Sequence, residues 1–332
     1  QAEWPIYQSG AQSEAVEASR LDAVASDQAL MSSRESVVLA TVEAYAQLWL
    51  AERALEVGAA QVETFELRFQ ETQARIEQGV VTKTDIALTE ARLASSQAAM
   101  AEQRAELSAA KARLSRLTGS IEPAPVSPFA ISLVVPMSYD DALERARRGS
   151  SMLAAAQSAL SAAGARVQEA HGRYGPKVSL KARASAGEDV YFFFEDPITD
   201  VGAFLTVDIP LFTSGQRSAS TAAARARRNE AAAQMRNAEL QIQEAVAGLW
   251  GDLTARREAL NAAERAESAA ALAAEGAQRE YEAGLRTLVD ALDAEDAFRI
   301  AQIDRYRQQT LVLIVEARLL SLSSDLEGAF TQ

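Results

Sequence analysis

Apolar residues in the first third of the chain recur at alternating steps of four and three. Ala44, Leu48, Ala51, Leu55, Gly58, Val62, Phe65, Phe69 and Ile76 keep that spacing, and Thr72 is its one polar interruption. This is a heptad seam, with small residues set among large ones. It predicts a helix over 11–78, about 100 Å long at roughly 1.5 Å per residue, which needs a coiled-coil partner. Leu249, Leu253 and Leu260 hold a looser version of the seam in the second half before Ala takes over. Shorter helices are predicted over 84–118 and 289–323, running back antiparallel, and another over 139–172.

Between the helical regions the period changes to two. From Lys177 to Ala186 the even positions are apolar and the odd ones polar. From Asp200 to Leu211 the odd positions Val201, Ala203, Leu205, Val207, Ile209 and Leu211 are apolar, with Phe204 the exception on the other face. Each run is about ten residues, the length of a tilted membrane β-strand. An ordinary half-buried hairpin has the same period, and periodicity does not choose between them. The aromatic run Tyr191–Phe194 fits an interfacial girdle or an apolar loop packed on neighbouring subunits.

Proline placement agrees with this division. The 8 prolines fall at Pro5, between Pro123 and Pro136, and between Pro176 and Pro210. Proline removes a helix donor and clashes with the preceding turn, so residues 6–122 and 211–332 are free to be helical. The two halves also align on each other without a gap. Pro5-Ile6-Tyr7-Gln8-Ser9-Gly10 falls on Pro210-Leu211-Phe212-Thr213-Ser214-Gly215, an offset of 205. The same offset lays Gly79-Val80-Val81-Thr82-Lys83-Thr84-Asp85 on Gly284-Leu285-Arg286-Thr287-Leu288-Val289-Asp290, and Ala112-Arg113-Leu114 on Ala317-Arg318-Leu319. The chain reads as a tandem duplication with a period too long for a solenoid. Its first copy is expected to lack a strand and a helix before Gln1, roughly 60 residues by comparison with the second copy.

Composition removes whole classes of function. A net charge of −13 argues against nucleic-acid binding, which needs clustered Lys and Arg. There is no Cys, so disulfides, thiolate metal sites and thiol catalysis are excluded. His171 is the sole histidine and is assigned no role. No nucleotide loop or catalytic constellation is present, no cofactor or metal is expected, and the chain does not read as an enzyme. No run of 18 apolar residues marks a transmembrane helix, although that leaves a membrane β-barrel open.

The ordered motifs resemble the TolC-type outer membrane factors. They are Arg75-Ile76-Glu77-Gln78-Gly79, Tyr174-Gly175-Pro176-Lys177-Val178, Val207-Asp208-Ile209-Pro210-Leu211-Phe212 and the run Tyr281–Ala294. The resemblance covers essentially the whole chain. It implies a mostly α fold with membrane β-strands: long antiparallel coiled-coil helices forming a trimeric α-barrel tunnel, a shared twelve-strand β-barrel and a mixed equatorial segment. On that plan 1–10 ends a barrel strand and 11–118 holds the tunnel helices of the first repeat. An equatorial segment spans 119–138, the second-repeat helix 139–175 and the barrel hairpin 176–213. Second-repeat tunnel helices occupy 214–323, with an equatorial C-terminal segment over 324–332. The resemblance further implies a homotrimer in the lipid of the outer membrane with a large periplasmic part. It would serve as the exit duct for a periplasmic adaptor (membrane fusion) protein and an inner-membrane ABC or proton-driven pump. Drugs and secreted proteins both fit as substrates; the high Ala content and the Arg75–Gly79 motif lean towards type I secretion. A soluble or periplasmic coiled-coil scaffold or adaptor is the alternative, and it would not need the alternation at 177–187 and 200–211. A hydrolase using paired carboxylates lacks a substrate pocket.

The tip turns carry the candidate site. Thr82-x-x-Asp85 and Thr287-x-x-Asp290, following Gly79 and Gly284, each match a capping box, and that role alone can account for both aspartates. Asp293 stands one turn further on, opposite Leu88 of the first copy, and capping does not explain it. The resemblance makes Asp290 and Asp293 the narrowest acidic rings of a closed periplasmic tip. Cation selectivity with block by multivalent cations is the expected consequence. It also makes Tyr281 and Arg286 the partners of Thr84 and Asp85 in a gate latch. Arg225–Arg228 reads as a solvated helix face or a contact for adaptor hairpins.

Overall fold

A computed structural model describes residues 2–77, 82–119, 133–188 and 197–329. In chain order the elements are β1 (Ala2–Tyr7), α1 (Ala11–Glu77), α2 (Lys83–Thr118), α3 (Tyr139–Gly149), α4 (Ser151–Gly172), β2 (Lys177–Glu188), β3 (Pro197–Asp208), α5 (Gln216–Glu282), α6 (Leu288–Ser321) and α7 (Leu326–Ala329). They fall into two compact units, Gln1–Ser32 with Ser150–Gln241, and Ser33–Gly149 with Ile242–Gln332. The helix expected over 139–172 is two helices. At the position of Gly149 an added Cβ would lie 2.1 Å from the Ser323 carbonyl oxygen. The chain turns at Ser150, whose extended backbone and hydroxyl cap α4 by accepting from the Leu153 N–H.

In the first unit the three strands form one antiparallel sheet in the order β1-β2-β3. β2 and β3 pair without interruption from Lys177↔Asp208 to Glu188↔Pro197. β1 joins β2 from Ala2↔Ala182 to Tyr7↔Val178, with an irregularity between Pro5 and Tyr7, where proline has no N–H to give the ladder. Opposed residues share a face, so the register sorts the side chains. Ala2, Trp4, Val178, Leu180, Ala182, Ala184, Val201, Ala203, Leu205 and Val207 make one face apolar as far as Ala184↔Val201; beyond it the same face carries Thr199 opposite Ala186 and Glu188 opposite Pro197. Glu3, Lys181, Arg183, Asp200 and Asp208 lie on the other, where Lys181 Nζ meets Glu3 Oε1 at 3.5 Å. Trp4 and Leu205 remain 60% and 66% exposed, so none of the described helices covers them.

The repeat is visible in how the strands hand over to the helices. Ser9 and Gly10 take positive φ at 50° and 80°; Ser214 and Gly215 do the same at 48° and 83°. Glycine occupies that region without a Cβ penalty, which fixes the turn before each long helix. The Ala11 N–H then bonds Gln8 and the Gln216 N–H bonds Thr213, at 2.9 and 2.8 Å.

The second unit is held by helix-on-helix packing. The α1 seam faces α2 through Ala44, Leu48 and Ala51 against Ala110 and Leu114. A second stripe, which the heptad pattern did not reveal, sets Ala46 against Leu313 and Ile314 of α6. Small residues on both stripes let α1 lie close to two partners at once. Thr72 is buried, and its hydroxyl bonds the Arg68 carbonyl at 2.7 Å, which satisfies it without leaving the helix. Towards the tip turns Phe65 of α1 packs with Leu288 and Leu292 of α6, and Leu93 of α2 and Tyr281 of α5 complete the cluster. Four helix segments therefore meet under the turns and fix where their polar side chains point.

Candidate functional site

Both tip turns close as capping boxes. The Thr287 N–H and hydroxyl donate to Asp290 Oδ2 at 3.3 and 2.7 Å, and the Asp290 N–H donates back to the hydroxyl at 3.2 Å. Thr82 and Asp85 repeat this at 2.8, 2.9 and 3.3 Å. Gly284 reaches φ 73° and its N–H bonds the Tyr281 carbonyl at 2.9 Å, turning the chain out of α5. Gly79 lies outside the described residues. Hydrogen bonds from the Thr287 side chain, then its backbone, hold the Asp290 carboxyl below the usual carboxylate range, so it stays ionised.

Around the caps the chain makes pairings other than those the resemblance implies. Among the described residues no hydrogen bond or ion pair joins Tyr281 or Arg286 to Thr84 or Asp85. Asp85 is taken up by its own cap, and Thr84 is exposed. Arg286 Nε reaches back across the Gly284 turn to Glu280 Oε2 at 2.6 Å. The Tyr281 hydroxyl accepts from Arg75 Nη1 at 3.1 Å, with that guanidinium 5.5 Å from the ring centre. The Arg75 motif was visible in the sequence, but only folding shows its partner.

Asp293 does not stand free. Arg92 of α2 forks between α6 carboxylates, Nη2 to Asp293 Oδ1 and Nη1 to Asp296 Oδ2, the latter at 2.8 Å. Gln61 Nε2 of α1 donates to the other Asp296 oxygen at 2.6 Å. Burial pushes the Asp296 carboxyl up, opposed by the charge of Arg92 and the bond from Gln61. Arg92, Asp296 and Gln61 were missed from the sequence; the one trace was the aspartate at every third position, 290, 293 and 296. Each step of three turns about 60° around a helix, so the series walks from the free face towards α2. Among the described residues no helix is long and apolar enough to cross a membrane, and no group of three or more acidic or histidine side chains is placed to hold a metal.

Long paired helices, a sheet with a largely apolar exposed face and acidic helix-end turns are the features the comparisons with known proteins bear on. The outer membrane efflux protein family model matches residues 1–120 and 142–323, and the chain belongs to that family of outer-membrane transport proteins. It is 25% identical over 297 residues to the outer membrane efflux protein BepC of Brucella suis, covering 88% of this chain and 64% of BepC. It is 26% identical over 315 residues to the alkaline protease secretion protein AprF of Pseudomonas aeruginosa, covering 92% of this chain and 65% of AprF. The chain thus spans just under two thirds of each relative's length. A crystallised membrane protein from Pseudomonas aeruginosa shares the fold, with a TM-score of 0.83 at 19% identity over 97% of this chain and 73% of that one.

Proposed function

We propose that the protein is one subunit of a homotrimeric exit duct. Its strands would join those of two other copies in a closed barrel, and its helices would line a periplasmic tunnel. A periplasmic adaptor and an inner-membrane ABC or proton-driven pump would supply substrate and energy, the duct itself carrying out no chemistry. The observation that carries this reading is the sheet, one face of which is apolar from Val178↔Val207 to Ala184↔Val201 and keeps its large side chains exposed among the described residues. Lipid and neighbouring strands are the surroundings such a face needs, since a closed barrel leaves no backbone group unpaired in hydrocarbon. A coiled-coil scaffold has no use for it. BepC is an efflux protein and AprF a secretion protein, so both drug efflux and type I secretion stay in the proposal. The tip turns would form the gate, with Asp290 and Asp293 ringing its narrowest point. Links between the helix pairs would hold it shut: Arg75–Tyr281 and Arg92–Asp293 within one chain, and the latch of Tyr281 and Arg286 with Thr84 and Asp85 in the closed assembly.

The test is the mass and shape of the intact detergent-purified protein, by light scattering and negative-stain microscopy. Three chains in a hollow tube longer than about 100 Å support the duct. A detergent-independent monomer or rod-like dimer rejects it in favour of the scaffold.

A further inference from the structure

We propose that Arg92 sets the charge of the gate: its guanidinium draws Asp293 out of the acidic ring and leaves Asp290 as the main cation-selecting group. This rests on the channel reading above. The three tip aspartates meet different partners. Among the described residues Asp290 is hydrogen-bonded by its own Thr287 and ion-paired to no cation; Arg286 pairs with Glu280 and acts on Asp290 only through its field. Asp293 and Asp296 share one guanidinium, each taking a different nitrogen of its rigid fork. Gln61 pins the second oxygen of Asp296, and Glu295 is engaged by Arg299 at 2.9 Å, so neither competes for Arg92. The side chain of Asp296 is only 20% exposed against 54% for Asp293, so Asp296 anchors Arg92 and Arg92 then reaches out to Asp293. The arrangement has no counterpart in the other repeat, where Leu88, Ala91 and Ala297 stand at the equivalent positions. Arg92 is therefore a positioning residue acting through Asp293.

The experiment is recording of the full-length channel in planar lipid bilayers under a KCl gradient, reading the K⁺/Cl⁻ permeability ratio. Asp290→Asn is expected to lower the ratio several-fold and Asp293→Asn to leave it nearly unchanged. Arg92→Gln should raise it roughly twofold or more by releasing Asp293 into the pore field, and adding Asp293→Asn should cancel that gain. Arg92→Lys, a point charge without the fork, should fall between wild type and Arg92→Gln. If Asp293→Asn alone lowers the ratio as far as Asp290→Asn while Arg92→Gln does nothing, the proposal is overturned. Lowered melting of Arg92→Gln with an unchanged ratio makes Arg92 a structural brace and also overturns it. A wild-type protein that conducts no ions brings down the channel reading and this proposal together, whereas a selective wild type with the wrong mutant pattern brings down only this one.

Discussion

At Thr82 and at Thr287 the same capping box closes, with hydroxyl–carboxylate distances of 2.9 and 2.7 Å. Beyond the cap the two turns part. Repeat one continues with Leu88 and Ala91 where repeat two has Asp293 and Asp296, and places Ile76 and Val81 opposite Tyr281 and Arg286. A duplicated unit has kept its helix start in both copies and put these further acidic and aromatic side chains in one. The shared part is explained by local physics, since two orphan donors are satisfied by one short motif. The unshared part is what a functional account must explain. Bases of the first repeat, Arg75 and Arg92, reach groups of the second, Tyr281 and Asp293.

The largest effect that would sharpen this comparison lies beneath the turns. Phe65 is 1% exposed, while its repeat counterpart is Ala270. Phe65→Ala should cost about 3–5 kcal/mol through the cavity left among Leu288, Leu292 and Leu93. Ala270→Gly should cost only about 1 kcal/mol, the helix-propensity difference. Denaturant midpoints followed by circular dichroism decide it, and equal losses would show the repeats to be equally packed. Next come the caps: Thr82→Ala and Thr287→Ala should each cost about 1 kcal/mol, read as faster amide exchange in the first turn of α2 or α6. A clear inequality there would break the claim that the caps are equivalent.

Acidification should separate Asp290 from Asp296. The Asp290 carboxyl is held low in the folded state, so its contribution is present above the unfolded value near 3.8 and is lost as pH falls through the lower folded value. The Asp296 carboxyl is held high, so the folded chain takes up that proton first. Stability near Asp296 should therefore rise as pH falls from its raised folded value towards 3.8, and Asp296→Asn should abolish that rise in a melting-temperature series. The smallest effect belongs to Arg286→Ala. Its pair with Glu280 leaves both side chains nearly half exposed, at 47% and 49%, so a loss of at most about 1 kcal/mol is expected.

Much of this was legible in the order of residues because its causes are local. The heptad seam of α1, the alternation of β2 and β3, the Ser-Gly turns and the Thr-x-x-Asp caps each depend on residues a few positions apart. What the sequence hid depends on distant chain segments. The break at Ser150 had a local signal, Gly149 followed by the Ser150 cap; the approach of the Ser323 carbonyl, which leaves no room for a Cβ at 149, did not. The second contact of α1 rests on Ala46, which reads as filler until Leu313 and Ile314 arrive. Arg92 carried no signal beyond its charge, and its role emerged only when α2 was laid beside α6. The ion pair of Arg286 with Glu280, six residues back across the Gly284 turn, was likewise not legible in the sequence.

The central claim is that the two turns share a structural aspartate while only the second also faces the permeating ion. Bilayer recordings of Asp85→Asn and Asp290→Asn in the full-length channel test it most directly. Each substitution weakens an equivalent cap; the account predicts that Asp290→Asn alone lowers cation selectivity, while Asp85→Asn leaves it at the wild-type value. Equal changes in the two variants, or none in either, would contradict it.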